Sequence, residues 1–161
     1  MFEGFQGLPL HALAVHLPVV LIPALAVMAA VYALLPRVRA LVGWLVVALA
    51  VVAPLSAVVA KLSGDAYRDV MFGTAELDPD LPVQAHAGFG VLSMWSSLGL
   101  GAATLVLAAV RRGTESGSGL WRWVAWLLSA IVLVLAAVAV YYLIRVGHTG
   151  SEMSHGGRLP D

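Results

Sequence analysis

LPLHALAVHLPVVLIPALAVMAAVYALL, residues Leu8 to Leu35, runs for 28 positions without a lysine, arginine, aspartate or glutamate. A hydrocarbon core of roughly 30 Å is crossed by about 20 helical residues, so this stretch reads as a transmembrane helix. Pro18 and Pro23 remove backbone donors within it, which predicts one bent helix rather than two spans. Three more charge-free stretches follow, at 41–60, 81–110 and 123–144. The expected fold is all-α: one integral membrane domain over residues 1–161, a four-helix bundle running up-down-up-down. Its helices are expected at about 8–35, 41–62, 82–110 and 121–147, with an outer loop at 63–81.

Composition agrees. Of 161 residues, 61% are hydrophobic and 11% charged, against about 25% charged in soluble domains. Nine basic residues balance nine acidic ones, which gives no sign of a nucleic-acid partner. With no cysteine, the chain forms no disulfide, no thiolate-bound zinc or iron–sulfur centre and no haem attached through CxxCH. Any metal or cofactor must be held by His, Asp, Glu, Met or backbone. The N-terminal MFEGFQG lacks the basic region of a cleaved signal, so the first apolar segment is expected to be retained. There is no HExxH, GxSxG, P-loop or Rossmann glycine pattern. The middle of each span is Ala, Val, Leu and Gly, without the ionisable residues that mark a transport path. These absences disfavour a hydrolase, a transporter and an ion channel.

The loops suggest an orientation. Arg37, Arg39, Arg111, Arg112 and Arg122 face a single acidic residue, Glu115, on one side. On the other side Lys61, Arg68, Arg145 and Arg158 are outnumbered by Glu3, Asp65, Asp69, Glu76, Asp78, Asp80, Glu152 and Asp161. Tight arginine pairs against apolar runs place the first side in the cytoplasm and both termini outside. Trp44, Trp121, Trp123 and Trp126 form an inner aromatic belt, and Tyr141 and Tyr142 an outer one. GTESGSG at 113–119 is an inner turn. A faint repeat is visible: Leu8-Pro9 before His11 matches Leu81-Pro82 before His86, and AKLSGD at 60–65 echoes IRVGHTGSE at 144–152. Two related helical hairpins would give the bundle internal pseudo-symmetry.

The five histidines carry the functional signal. His11 is 24 residues before Leu35, His86 is 24 before Val110, and His148 is 25 after Trp123. These three should therefore share one depth near the outer interface. His16 is expected roughly 7–8 Å deeper and turned about 140° from His11. An imidazole in an apolar run needs a partner, and His16 is the most demanding case. Beside His86, Gly90, Ser93 and Ser97 make a strip of small residues on which a flat macrocycle could lie. His148 stands in RVGHTGSE, where Gly147 and Gly150 are expected to end the helix. Arg145 is a candidate partner for a haem propionate. His155 reads as a solvated tail residue.

LPLHALAVHLP and GHTGSEMSHG together resemble the opening HPLxVHFP and closing GHxGGExxxxHG of a bacterial membrane-protein family, domain of unknown function 2231. Ala12, Leu17 and Ser151 depart from that pattern, and Glu152 and His155 stand closer together than in it. The resemblance implies a four-helix bundle in the bacterial cytoplasmic membrane. Its relatives can occur joined to Rieske-type or c-type cytochrome domains, which implies redox partners.

The expected function is a b-type cytochrome-like electron-transfer protein holding haem b near the extracytoplasmic face. His16 and His86 are the expected ligands, His148 the replacement for either, with Gly90 and Arg145 completing the site. The alternatives are a zinc, copper or non-haem iron site built from His11, His86, His148 and Glu152 or Asp65, and a non-catalytic accessory subunit of a respiratory complex. Expected partners are the lipid bilayer, an extracytoplasmic Rieske-type or c-type cytochrome, a quinone, and a further copy of the chain in a homo-oligomer.

Overall fold

The computed structural model describes residues 10–73, 82–113 and 119–155, almost all of them helical. Leu8, Pro9, Glu76, Asp78, Asp80, the 114–118 turn and the His155 side chain with the tail beyond it lie outside the described residues. The elements are α1 (Leu10–Ala14), α2 (His16–Leu34), a 3₁₀ turn (Pro36–Val38), α3 (Arg39–Phe72), α4 (Pro82–Gly113) and α5 (Gly119–His155). Four spans are long and apolar enough to cross a membrane: Leu10–Leu34, Pro36–Phe72, Pro82–Arg112 and Leu120–Met153. The chain is a multi-pass membrane protein with a helical-bundle fold.

The first span breaks at Val15, between α1 and α2. Pro18 has no N–H to offer the Ala14 carbonyl, so the regular ladder loses a rung there. The path is kept by Val15 N–H donating to the His11 carbonyl (3.1 Å) and Val19 N–H to that of Val15 (3.3 Å). Pro23, inside α2, and Pro54, inside α3, are accommodated without a break.

Two helix ends differ from those read in the sequence. Helix α3 continues to Phe72, where a loop was expected from residue 63. Charge marks where a chain leaves lipid, not where its helix stops: Lys61 pairs with Asp65 one turn on and supports the emerging helix. It ends at Gly73, whose φ of 66° suits only a residue without a side chain. Likewise Gly147 and Gly150 do not end α5, which runs on to His155.

Lipid is as apolar as leucine, so these helices are held by close packing of small residues rather than by hydrophobic exclusion. Helix α2 packs on α3 and α5, helix α4 packs on the same two, and α2 meets α4 more weakly across the diagonal. The buried faces repeat. Leu25, Ala29, Tyr32 and Ala33 of α2 recur 75 positions later as Leu100, Thr104, Leu107 and Ala108 of α4, all buried. Val46, Ala50 and Ala53 of α3 recur 86 positions later as Val132, Ala136 and Ala139 of α5. The bundle is thus two hairpins of one pattern, facing each other.

The arginine-rich end is tied together by side chains reaching backbone. Arg39 donates to the Tyr32 (2.8 Å) and Ala33 (2.9 Å) carbonyls that end α2. Arg111 reaches the Ala125 carbonyl (3.4 Å) and Ser129 Oγ (3.2 Å) of α5. Histidines gather at the opposite end.

Candidate cofactor site

Two imidazoles meet where α1 and α4 face each other across the bundle. The ring centroids of His11 and His86 are 6.4 Å apart and their planes cross at 83°. Both are half-buried. His11 is held by α3: its Nδ1 lies 3.2 Å from the Ala60 carbonyl and 3.1 Å from Ser63 Oγ. Tyr67, one turn further along α3, stacks on the His11 ring at 6.4 Å with the planes 16° apart. His86 is held by α5: its Nδ1 lies 3.2 Å from Thr149 Oγ1.

Glycines make these approaches possible. A Cβ on Gly64 would stand 2.9 Å from His11 Cε1, and one on Gly150 would stand 3.3 Å from His86 Cε1. A larger residue at Gly64 would force the His11 ring to shift, and one at Gly150 would need the His86 ring to give by a few tenths of an ångström.

A cavity of about 400 Å³ opens beside the pair, walled by α3 most of all, with α1, α2, α4 and α5 contributing the rest. That volume falls within the roughly 300–1,000 Å³ of ligand and cofactor sites. Its walls are mostly apolar, with Val15, Pro18 and Val19 on one side and Ala87, Gly90 and Met94 on another. The charge in it comes from α3 alone: Lys61, Asp65 and Arg68. Lys61 pairs with Asp65 and stretches past Gly90.

The structure therefore brings together His11, His86 and Gly90, with Ser93 lining the same cavity, and buries Ser97 further along α4. It does not bring the other candidates to the pair. His16 is exposed on the outer surface of α2 and does not line the cavity. His148 is exposed on α5 and lies 3.4 Å from Glu152 in an i,i+4 pair. The Arg145 guanidinium sits 4.6 Å above the Phe89 ring, also outside the cavity. Among the described residues no three of His, Asp and Glu converge closely enough to hold a metal ion.

Ser63, Gly64, Tyr67 and Thr149 are the site residues that sequence reading did not single out as ligand-orienting groups. The signal available for three of them was the echo between AKLSGD and VGHTGS, in which Ser63-Gly64 aligns with Thr149-Gly150.

No curated protein and no solved structure matches the chain. Over residues 7–159 the chain matches the family described as "Predicted membrane protein (DUF2231)", and belongs to it.

Proposed function

We propose that the protein is a b-type cytochrome-like electron carrier of the bacterial cytoplasmic membrane, holding haem b between His11 and His86. The observation that supports this most is the pairing itself. Two imidazoles bound on opposite sides of one metal, each through a nitrogen at about 2.0–2.1 Å, have centroids roughly 6 Å apart, and these stand at 6.4 Å. A bare metal ion would need further protein ligands, and no third His, Asp or Glu converges on the pair among the described residues. Haem iron needs two, because the macrocycle brings the other four nitrogens. The donor set thus fits haem better than zinc, copper or non-haem iron.

Bound haem would supply a one-electron ferric/ferrous couple. The protein's own groups would orient both imidazoles and keep bulk water from the apolar cavity, and they would place Lys61 and Arg68 where acidic substituents can be met. Arginine pairs at the far end support an orientation with the site at the extracytoplasmic face. A one-electron donor of the Rieske or c-type class outside and a quinone in the membrane are the partners such a position suits.

An absorption spectrum of the protein purified in mild detergent after haem-supplemented expression tests the reading. Sharp Soret and α bands on reduction, one haem per chain, are expected. Protein that takes up no haem during expression or on titration with hemin would overturn it.

A further inference from the structure

The two histidine environments are copies of each other. Ala60, Ser63 and Gly64, which hold His11 from α3 together with Tyr67, recur 86 positions later as Val146, Thr149 and Gly150 of α5, where Thr149 and Gly150 lie against His86. The internal bonding recurs as well. Ser63 Oγ–H donates to the Ala60 carbonyl at 2.9 Å. Thr149 Oγ1–H donates to the backbone of the turn before it, with the Arg145 and Val146 carbonyls at 3.0 and 3.1 Å. The cavity respects the same symmetry, since Val15, Pro18 and Val19 on one wall stand where Gly90, Ser93 and Met94 stand on the other.

This arrangement constrains where each proton can be. A hydroxyl has one hydrogen, and in both copies it is committed to a carbonyl of its own helix. What remains on the oxygen is acceptor capacity, and a carbonyl has nothing else to offer. The Ala60 carbonyl can only accept, so Nδ1 of His11 carries the hydrogen; with the Thr149 hydroxyl donating to its own helix, Nδ1 of His86 carries one as well. The lone pair of each ring is left on Nε2.

We infer that Ser63-Gly64 and Thr149-Gly150 are duplicated positioning clamps. Each hairpin uses one to present an Nε2 lone pair, and the two lone pairs serve one ligand on the pseudo-twofold axis. Ser63 and Thr149 hold the tautomer; Gly64 and Gly150 admit the ring against the helix. The identity of that ligand rests on the haem reading above, but the clamp does not. Orientation of an imidazole through its remote nitrogen is how metal-binding histidines are usually held, and loss of such a partner typically costs about 10–100-fold in affinity.

Nitrogen-15 NMR of the full-length protein with labelled histidine, in micelles and without ligand, tests the clamp directly. Replacing His16, His148 and His155 by glutamine leaves two imidazoles to observe. Both are expected in the neutral form with a protonated, pyrrole-type Nδ1 and an unprotonated, pyridine-type Nε2. Either ring in the opposite tautomer would overturn the clamp, whatever the protein binds. Both rings in the expected tautomer with no response to hemin would uphold the clamp and overturn the haem reading instead. As a second measurement, Ser63→Ala and Thr149→Val should each weaken hemin binding by about 10-fold or more. Ser63→Thr and Thr149→Ser, which keep the hydroxyl, should bind as the wild type does. Equal binding by all four variants would contradict the assignment.

Discussion

Gly101 of α4 packs against the Ala50 carbonyl of α3 with no room between them for a methyl group, and Pro54 closes the same gap from the next turn. This is one of two seams between the hairpins, α2 on α5 being the other.

Gly101→Ala should therefore destabilise the protein by about 1–3 kcal/mol, the usual cost of overfilling a packed interface. Thermal unfolding in detergent, compared with the wild type, checks it. An unchanged midpoint would mean that the two helices separate freely.

Gly64→Ala should weaken hemin binding, because the new methyl would meet His11 Cε1. Gly88→Ala is the control, since nothing lies within 4 Å of where its Cβ would stand. Titration with hemin followed in the Soret region should separate the two variants by at least the roughly 10-fold typical of a lost orienting contact. Indistinguishable titrations would count against a ring seated on Gly64.

The spans were legible because lipid demands long apolar helices with satisfied backbones, and Leu8–Leu35 announces one by what it lacks. The end of α3 was not, because Lys61, Asp65 and Arg68 look like a loop to a hydropathy argument while serving a helix well. Depth counting put His11, His86 and His148 at one level, and two of these meet. Depth says nothing about azimuth. The buried face of α5 runs through Ala125, Ser129, Val132, Ala136 and Ala139 to Thr149, and His148, one residue earlier, points elsewhere. His16 fails in the same way on α2, whose buried face runs through Pro18, Ile22, Leu25 and Ala29. The clamp residues were visible only as half of a weak repeat, whose meaning needed both histidines placed against it.

Lys61 and Asp65 break the duplication, for their counterparts beside His86 are Gly147 and Ser151. Lys61→Met should destabilise the protein slightly more than the double replacement Lys61→Met with Asp65→Asn, because the single change leaves the partly exposed Asp65 carboxylate at the cavity without its cation. Chemical or thermal unfolding of both variants reads this order. A double variant less stable than the single one would contradict it.

Ligation by two hairpins should make hemin a staple. At a free concentration of 100 times its Kd, hemin should raise stability by about 2.7 kcal/mol, and should do so equally in His16→Ala and His148→Ala. A shift lost in His148→Ala would place a ligand where the structure shows an exposed imidazole.

Orientation is open to a direct check, because the chain has no cysteine. A cysteine introduced for Ser151 in intact cells should react with a membrane-impermeant thiol reagent, and one introduced for Arg112 should react only after the cells are opened. The reverse pattern would turn the bundle over.

Electron paramagnetic resonance of the ferric, hemin-loaded protein tests the central claim most directly. Imidazole planes crossing at 83° would, with both rings on the iron of hemin, leave its orbitals nearly degenerate, so a strongly anisotropic low-spin signal is predicted, and it should vanish in both His11→Ala and His86→Ala. A high-spin signal from the wild type, or a low-spin signal that survives either replacement and is lost in His16→Ala, would contradict the account.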